Sequence, residues 1–139
     1  MTEFERTRFF FGKLLTAEDL EREQSYQNEK RWLLNRTLHG EGVVTGLEVT
    51  PRGGTGVRVA PGLAIDARGR EILLCRAKIV TVPQRGRYSI CLGYAEVETP
   101  RGTIRETFEL TAAPTGREPP GTVVLARLKR QRGKLVVAP

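Results

Sequence analysis

Few residues of this chain have both the type and the spacing for chemistry. Gly40-Glu-Gly42 followed by Gly46 reads G-x-G-x-x-x-G, one residue too long for the dinucleotide fingerprint. It leads into an alternating apolar run rather than a helix, so a phosphate would find no helix N-terminus there. Asp66 with Glu71, or Glu96 with Glu98 and Glu106, could be imagined as paired carboxylates for acid–base work. Acidic residues two apart on a strand usually share a solvated face, and Asp66 suits an Asx turn closed by Gly69. His39 is the sole histidine. Nucleophilic or metal chemistry would require partners that its neighbourhood lacks, and a place at a helix C-terminus gives it a structural reading.

Cys75 and Cys91 have neither CxxC spacing nor a second ligand pair, which disfavours a zinc site. Both read as small core residues in a reducing compartment, with a cross-strand disulfide left open. No GxxxxGK[ST], HExxH or G-x-S-x-G motif occurs. Catalytic, cofactor-binding and metal residues are therefore none, and the chain reads as non-enzymatic.

The elements that position these residues start from the stretch Leu38 to Ile72. Short alternating runs (Val43, Leu47, Val49, Val57, Val59, Leu63, Ile65) are separated by glycines and prolines, the signature of three or four half-buried antiparallel strands. Pro51-Arg-Gly-Gly54 ends one strand and supplies a hairpin turn. Pro61-Gly62 suits the centre of a type II turn, and Asp66 to Gly69 a type I turn. Upstream, Thr16 is an N-cap, Glu18 and Asp19 acidify the first turn, and no Gly or Pro follows until Gly40. The spacing predicts a helix from Ala17 to Leu38, about 33 Å long, with Gly40 at its C′ position. Its heptad stripe, Ala17, Leu20, Gln24, Gln27, Arg31, Leu34 and Leu38, has apolar ends and a polar middle. Such a helix either crosses a sheet with one end or packs against copies of itself, and the pattern favours copies. Phe9-Phe10-Phe11 cannot all face one side. The segment is expected to lie across its own core, with one ring free to reach a neighbouring subunit.

Downstream, strands are expected over residues 70–74, 78–82, 87–98, 103–111, 122–130 and 134–137, with residues 112–121 as a loop. The fold class is mainly β with one long N-terminal helix, an α+β chain whose body is an antiparallel sandwich or small barrel of short strands. A single domain of 139 residues is expected, with an arm at 1–15, the helix at 16–39 and the β body at 40–139.

Composition is lean, with 39% hydrophobic and 6% aromatic residues, which points to an oligomer interface for part of the burial. The net charge of +7 comes from scattered arginines, which disfavours nucleic acid as a partner. The one dense basic run, Arg127 to Lys134, alternates like a strand and turn. Neither a signal peptide nor an apolar run long enough for a membrane span is seen, so synthesis and folding are expected in the cytoplasm.

One string carries a likeness. Phe10-Phe-Gly-Lys-Leu-Leu-Thr-Ala-Glu-Asp-Leu20, Glu23-Gln24, Asn35, Leu38-His-Gly-Glu-Gly-Val-Val-Thr-Gly-Leu-Glu-Val49, Val57 to Asp66 and Gly69-Arg70 resemble a group of small structural proteins and modules. These belong to phage tails and phage-tail-like contractile injection systems, of the baseplate or tail-fibre-adaptor type. The likeness covers residues 9–72, about half of the chain. It implies a baseplate, fibre-adaptor or cap part that forms a trimer or hexamer, contacts other tail, baseplate or fibre proteins and enters a phage or injection particle. Phe9, Phe10, Phe11, Leu14, Tyr26 and Trp32 are the expected contact residues, since aromatic anchors dominate interfaces. Thr16, His39, Gly40, Gly42, Gly46, Pro61, Gly62, Asp66 and Gly69 are the expected turn and cap residues. The alternatives are a basic nucleic-acid-binding module and, last, a hydrolase on a β scaffold.

Overall fold

The computed structural model describes residues 3–138. Helix α1 (Ala17–Leu34) starts at a capping box. The Thr16 hydroxyl accepts from the Asp19 amide at 3.2 Å, and the Asp19 carboxylate accepts from the Thr16 amide at 3.2 Å. Two of the four orphan donors of a helix start are satisfied in this way. The helix continues as a wider π turn over Asn35–His39. There the Thr37 hydroxyl bonds back to the Leu33 carbonyl, a competition with the helical ladder that loosens the last turn. Gly40, at φ 72°, stops it and donates to the Asn35 carbonyl. Among the described residues no helix is long and apolar enough to cross a membrane.

Ten strands follow: β1 (Gly42–Gly46), β2 (Val49–Arg52), β3 (Gly56–Val59), β4 (Gly62–Ile65), β5 (Glu71–Leu74), β6 (Lys78–Thr81), β7 (Tyr88–Glu98), β8 (Ile104–Pro114), β9 (Val123–Gln131) and β10 (Lys134–Ala138). They form three antiparallel sheets ordered β1-β4-β5, β2-β3-β6 and β10-β9-β7-β8. The chain is mainly β and α+β. The sheets stay open, so the small barrel allowed by the sequence is not what forms.

Of the three or four short strands expected in the Leu38–Ile72 stretch, four form, but they do not make one unit. The chain leaves β1 through Gly46 at φ 65° and Leu47 at φ 61°. This double left-handed kink drops the Leu47 side chain, 2% exposed, into the core and passes β2 to another sheet. A bulky residue at positive φ is strained, and burial offsets the cost. Pro61-Gly62 is not a type II turn, because Gly62 lacks the positive φ that such a turn requires and opens β4 instead. Its lack of a side chain serves close packing: a Cβ there would collide with the Thr45 carbonyl, and one at Gly46 with the Pro61 carbonyl.

One core joins the three sheets, with Val57 and Val59, Ile72 and Leu74, and Ile90, Leu92 and Leu128 at 2% exposure or less. Strand β7 is buried on both faces over its first half. The residue 115–122 loop covers the second face. Ser89 donates to Glu118 at 2.6 Å, and the Thr122 methyl lies against Gly93. Strand β8 extends to Pro114, so the loop is shorter than the prolines suggest. The cysteines part company. Cys91 is buried, Cys75 is exposed rather than in the core, and both are free thiols.

Candidate functional site

The helix meets the β body at one end. Asp66, fully buried, accepts at Oδ1 from the amides of Arg68 and Arg70, both 2.9 Å, and at Oδ2 from the Arg70 guanidinium at 2.7 Å. The Gly69 amide donates to the Asp66 carbonyl at 2.9 Å, and Gly69 has φ 89°. Arg70 then lies over the Tyr94 ring at 4.4 Å, so one guanidinium joins the turn to the four-stranded sheet by a charge pair and a cation–π contact. Onto this turn the C-terminal end of the helix settles. Asn35 Nδ2 donates to the Gly69 carbonyl at 2.8 Å, Arg36 to the Arg68 carbonyl at 3.3 Å, and Arg31 pairs with Glu71 at 3.2 Å. A Cβ on Gly69 would strike the Trp32 carbonyl. The residues Asp66 and Glu71, weighed above as a carboxylate pair, are thus each committed to an arginine.

Residues 3–15 run back along the helix rather than across the β core, which corrects the expectation for this arm. Phe4 meets Tyr26 edge-on at 6.5 Å, with Lys30 5.1 Å above the Tyr26 ring. The Thr7 hydroxyl donates to the Asp19 carbonyl at 3.3 Å, and Lys13 pairs with Asp19 at 3.5 Å. These bonds to a helix and a cap account for a buried Thr7 in an otherwise exposed segment.

Of the expected contact residues, Phe9, Phe10, Phe11 and Leu14 are exposed, Phe11 completely. Tyr26 and Trp32 are half-buried. The Trp32 side lines a cleft of about 400 Å³ with Phe4, Glu29, Leu33, Arg36 and Arg68. The heptad stripe from Ala17 to Leu38 faces solvent along its whole length. Its leucines Leu20, Leu34 and Leu38 are 55%, 57% and 73% exposed, and Leu15, Val43 and Val44 are exposed as well. Leu15 and Val44 were not singled out, and Val43 was read as a half-buried strand residue but is exposed. His39 is exposed at the end of the π turn.

The described residues hold no cluster of three or more metal-ligating side chains. Glu96 and Glu106 face each other across β7 and β8, and Glu96 accepts the Tyr94 hydroxyl at 2.8 Å. Burial, with these carboxylates beside it, pushes the Tyr94 phenol above its ordinary range.

No family model and no curated protein matches this chain. Solved structures do share its fold. A chain of the type VI secretion system TssK-TssF-TssG baseplate subcomplex, seen by cryo-electron microscopy, gives a TM-score of 0.66 at 13% identity, over 99% of this chain and 61% of that one. A chain of the baseplate complex from the type VI secretion system gives 0.61 at 12% identity, over 99% and 58%. The crystal structure of TssK gives 0.61 at 9% identity, over 98% and 41%. This chain therefore spans about three-fifths or less of the length of these neighbours, with which it shares a fold.

Proposed function

We propose that this protein is a structural component of a phage-tail-like contractile injection particle, in its baseplate or a fibre-adaptor or cap position, and acts by protein–protein contacts. The observation that carries this reading is the solvent-facing heptad stripe of the helix, flanked by the bare phenylalanines of the arm. A helix joined to its body at one end, with leucines outward, lacks the buried stripe that normally stabilises a surface helix. Copies of the same helix would supply it in a closed symmetric assembly. The fold likeness to baseplate chains supports the same setting. In this reading residues 1–139 act as one unit. Phe9, Phe10, Phe11 and Leu14 form its contact surface with the outward leucines, and Tyr26 and Trp32 shape the adjoining cleft. Its partners are copies of itself, as trimer or hexamer, and other baseplate or fibre proteins.

Light scattering coupled to size exclusion, with and without about 0.5 M salt, tests it. Apolar packing predicts a discrete oligomer unchanged by screening. A monomer at micromolar concentration that also fails to bind baseplate proteins would sink the reading.

A further inference from the structure

Strand β8 is an outer strand of the four-stranded sheet, and at 11 residues it is more than twice as long as β10 at the other edge. Its register with β7 runs unbroken from Tyr88–Pro114 to Glu98–Ile104. Among the described residues its backbone bonds to no other strand. A cleft of about 360 Å³ opens beside Glu106, Thr107 and Phe108. A long edge is a template for a further strand unless a bulge, a proline or a lysine interrupts it. Residues 104–113 contain none of the three.

The charges of this edge are unanswered within the chain. Arg105 lies opposite Val97 and Glu109 opposite Gly93 on β7. Both are exposed, and neither takes part in an ion pair among the described residues. Ile104, which shares the face of Phe108 and Leu110, is 63% exposed. A second copy of β8, run antiparallel, answers all three. Residues that face each other across a ladder share a face, so the two-fold axis passes through one residue of the strand. An axis through Thr107 sets Arg105 opposite the partner's Glu109 on both sides, Thr107 opposite its own mate and Ile104 opposite the partner's Leu110. Opposite charges, paired threonines and aliphatic pairs are the cross-strand neighbours that stabilise a sheet. An axis through Arg105, Glu106 or Glu109 brings like charges face to face, and one through Phe108 or Leu110 leaves Glu109 against a threonine. In the favoured register the exposed Glu106 falls opposite the partner's Phe108 and adds nothing.

We propose that β8 is the seam of a two-fold contact, in which a second copy of this chain pairs antiparallel about Thr107 and the two four-stranded sheets become continuous. The seam lies outside the arm and helix, and it does not rest on the helix contact proposed above. A single pair of strands buries less area than a stable interface requires. The seam therefore forms at high concentration, or inside an assembly that other contacts already hold.

The experiment is distance measurement between nitroxide labels on the full chain, with Cys75→Ser to remove the one exposed thiol among the described residues. The label is placed through Thr107→Cys or Thr111→Cys, and spectra are taken at about 1 mM chain, the weak end of the affinity scale. In the proposed register position 107 meets its mate and its spectrum broadens strongly. Position 111 stands about 26 Å from its own mate, at about 3.3 Å per residue along the strand. Arg105→Glu should abolish the broadening at 107, and adding Glu109→Arg should restore it, because the exchanged charges still meet. Both positions are exposed, so these variants should fold normally. The same spectra taken in Leu20→Glu, Leu34→Glu, Leu38→Glu separate the two contacts. The seam should persist at this concentration when the helix contact is lost, so the failure of either reading is seen by itself. Absence of broadening at 107 overturns the proposal. Equal coupling at 107 and 111 overturns it too, as does an Arg105→Glu chain that couples like the parent, or an exchanged pair that fails to restore the coupling.

Discussion

Asp66 shows how much one side chain can organise. Its carboxylate closes a turn, pairs with Arg70 and so fixes the platform on which the helix ends. Asp66→Ala removes a fully buried partner from Arg70 and leaves two amides without their acceptor, and should cost about 3 kcal/mol. Urea unfolding measures this, with the midpoint falling and the slope unchanged. Two other carboxylates set a pH response. The Thr16 amide holds Asp19 below its ordinary 3.8, and the Ser89 hydroxyl holds Glu118 below its ordinary 4.5. On acidification the unfolded chain takes up these protons first. The stability they contribute is thus complete above the ordinary values and lost as pH falls through the lower folded ones. The melting temperature should drop as pH is lowered from about 5 to about 2, and Glu118→Gln should flatten that slope. An equally steep slope in the variant would show that Glu118 does not contribute.

At the scale of elements, the helix is capped at one end and seated at the other. The seat depends on Gly69, whose positive φ and missing Cβ allow the turn to touch the Trp32 carbonyl. Gly69→Ala adds a collision and backbone strain of about 1–3 kcal/mol. It should shift Trp32 fluorescence to the red as the helix end lifts, while the β body still melts cooperatively. An unchanged emission spectrum would show that the seat tolerates the methyl. The strands were legible because alternation and turn residues mark them locally. The type II turn at Pro61-Gly62 was misread because glycine serves positive φ and close approach alike, and only the neighbouring carbonyl tells which.

For the whole molecule, the proposed assembly rests on the outward leucines. Leu20→Glu, Leu34→Glu and Leu38→Glu together leave the core untouched. Each exposed substitution should change monomer stability by less than about 0.5 kcal/mol. The triple variant should run as a monomer by size exclusion with light scattering where the parent runs as an oligomer. An oligomer of unchanged mass in the variant would move the interface away from the helix.

The sequence by itself determined the elements: a capped helix ending at Gly40, nine or ten strands' worth of alternation, and the absence of any familiar catalytic motif. These are local properties, set by periods of two and 3.6 residues and by the conformations that Gly, Pro, Thr and Asp permit or forbid. Only the tertiary structure decided which strands pair, that the arm follows the helix instead of the core, and that Cys75 is outside. Pairing is a long-range choice made by a shared core. The burial of any one side chain depends on what the rest of the chain places against it, which no window of neighbouring residues contains.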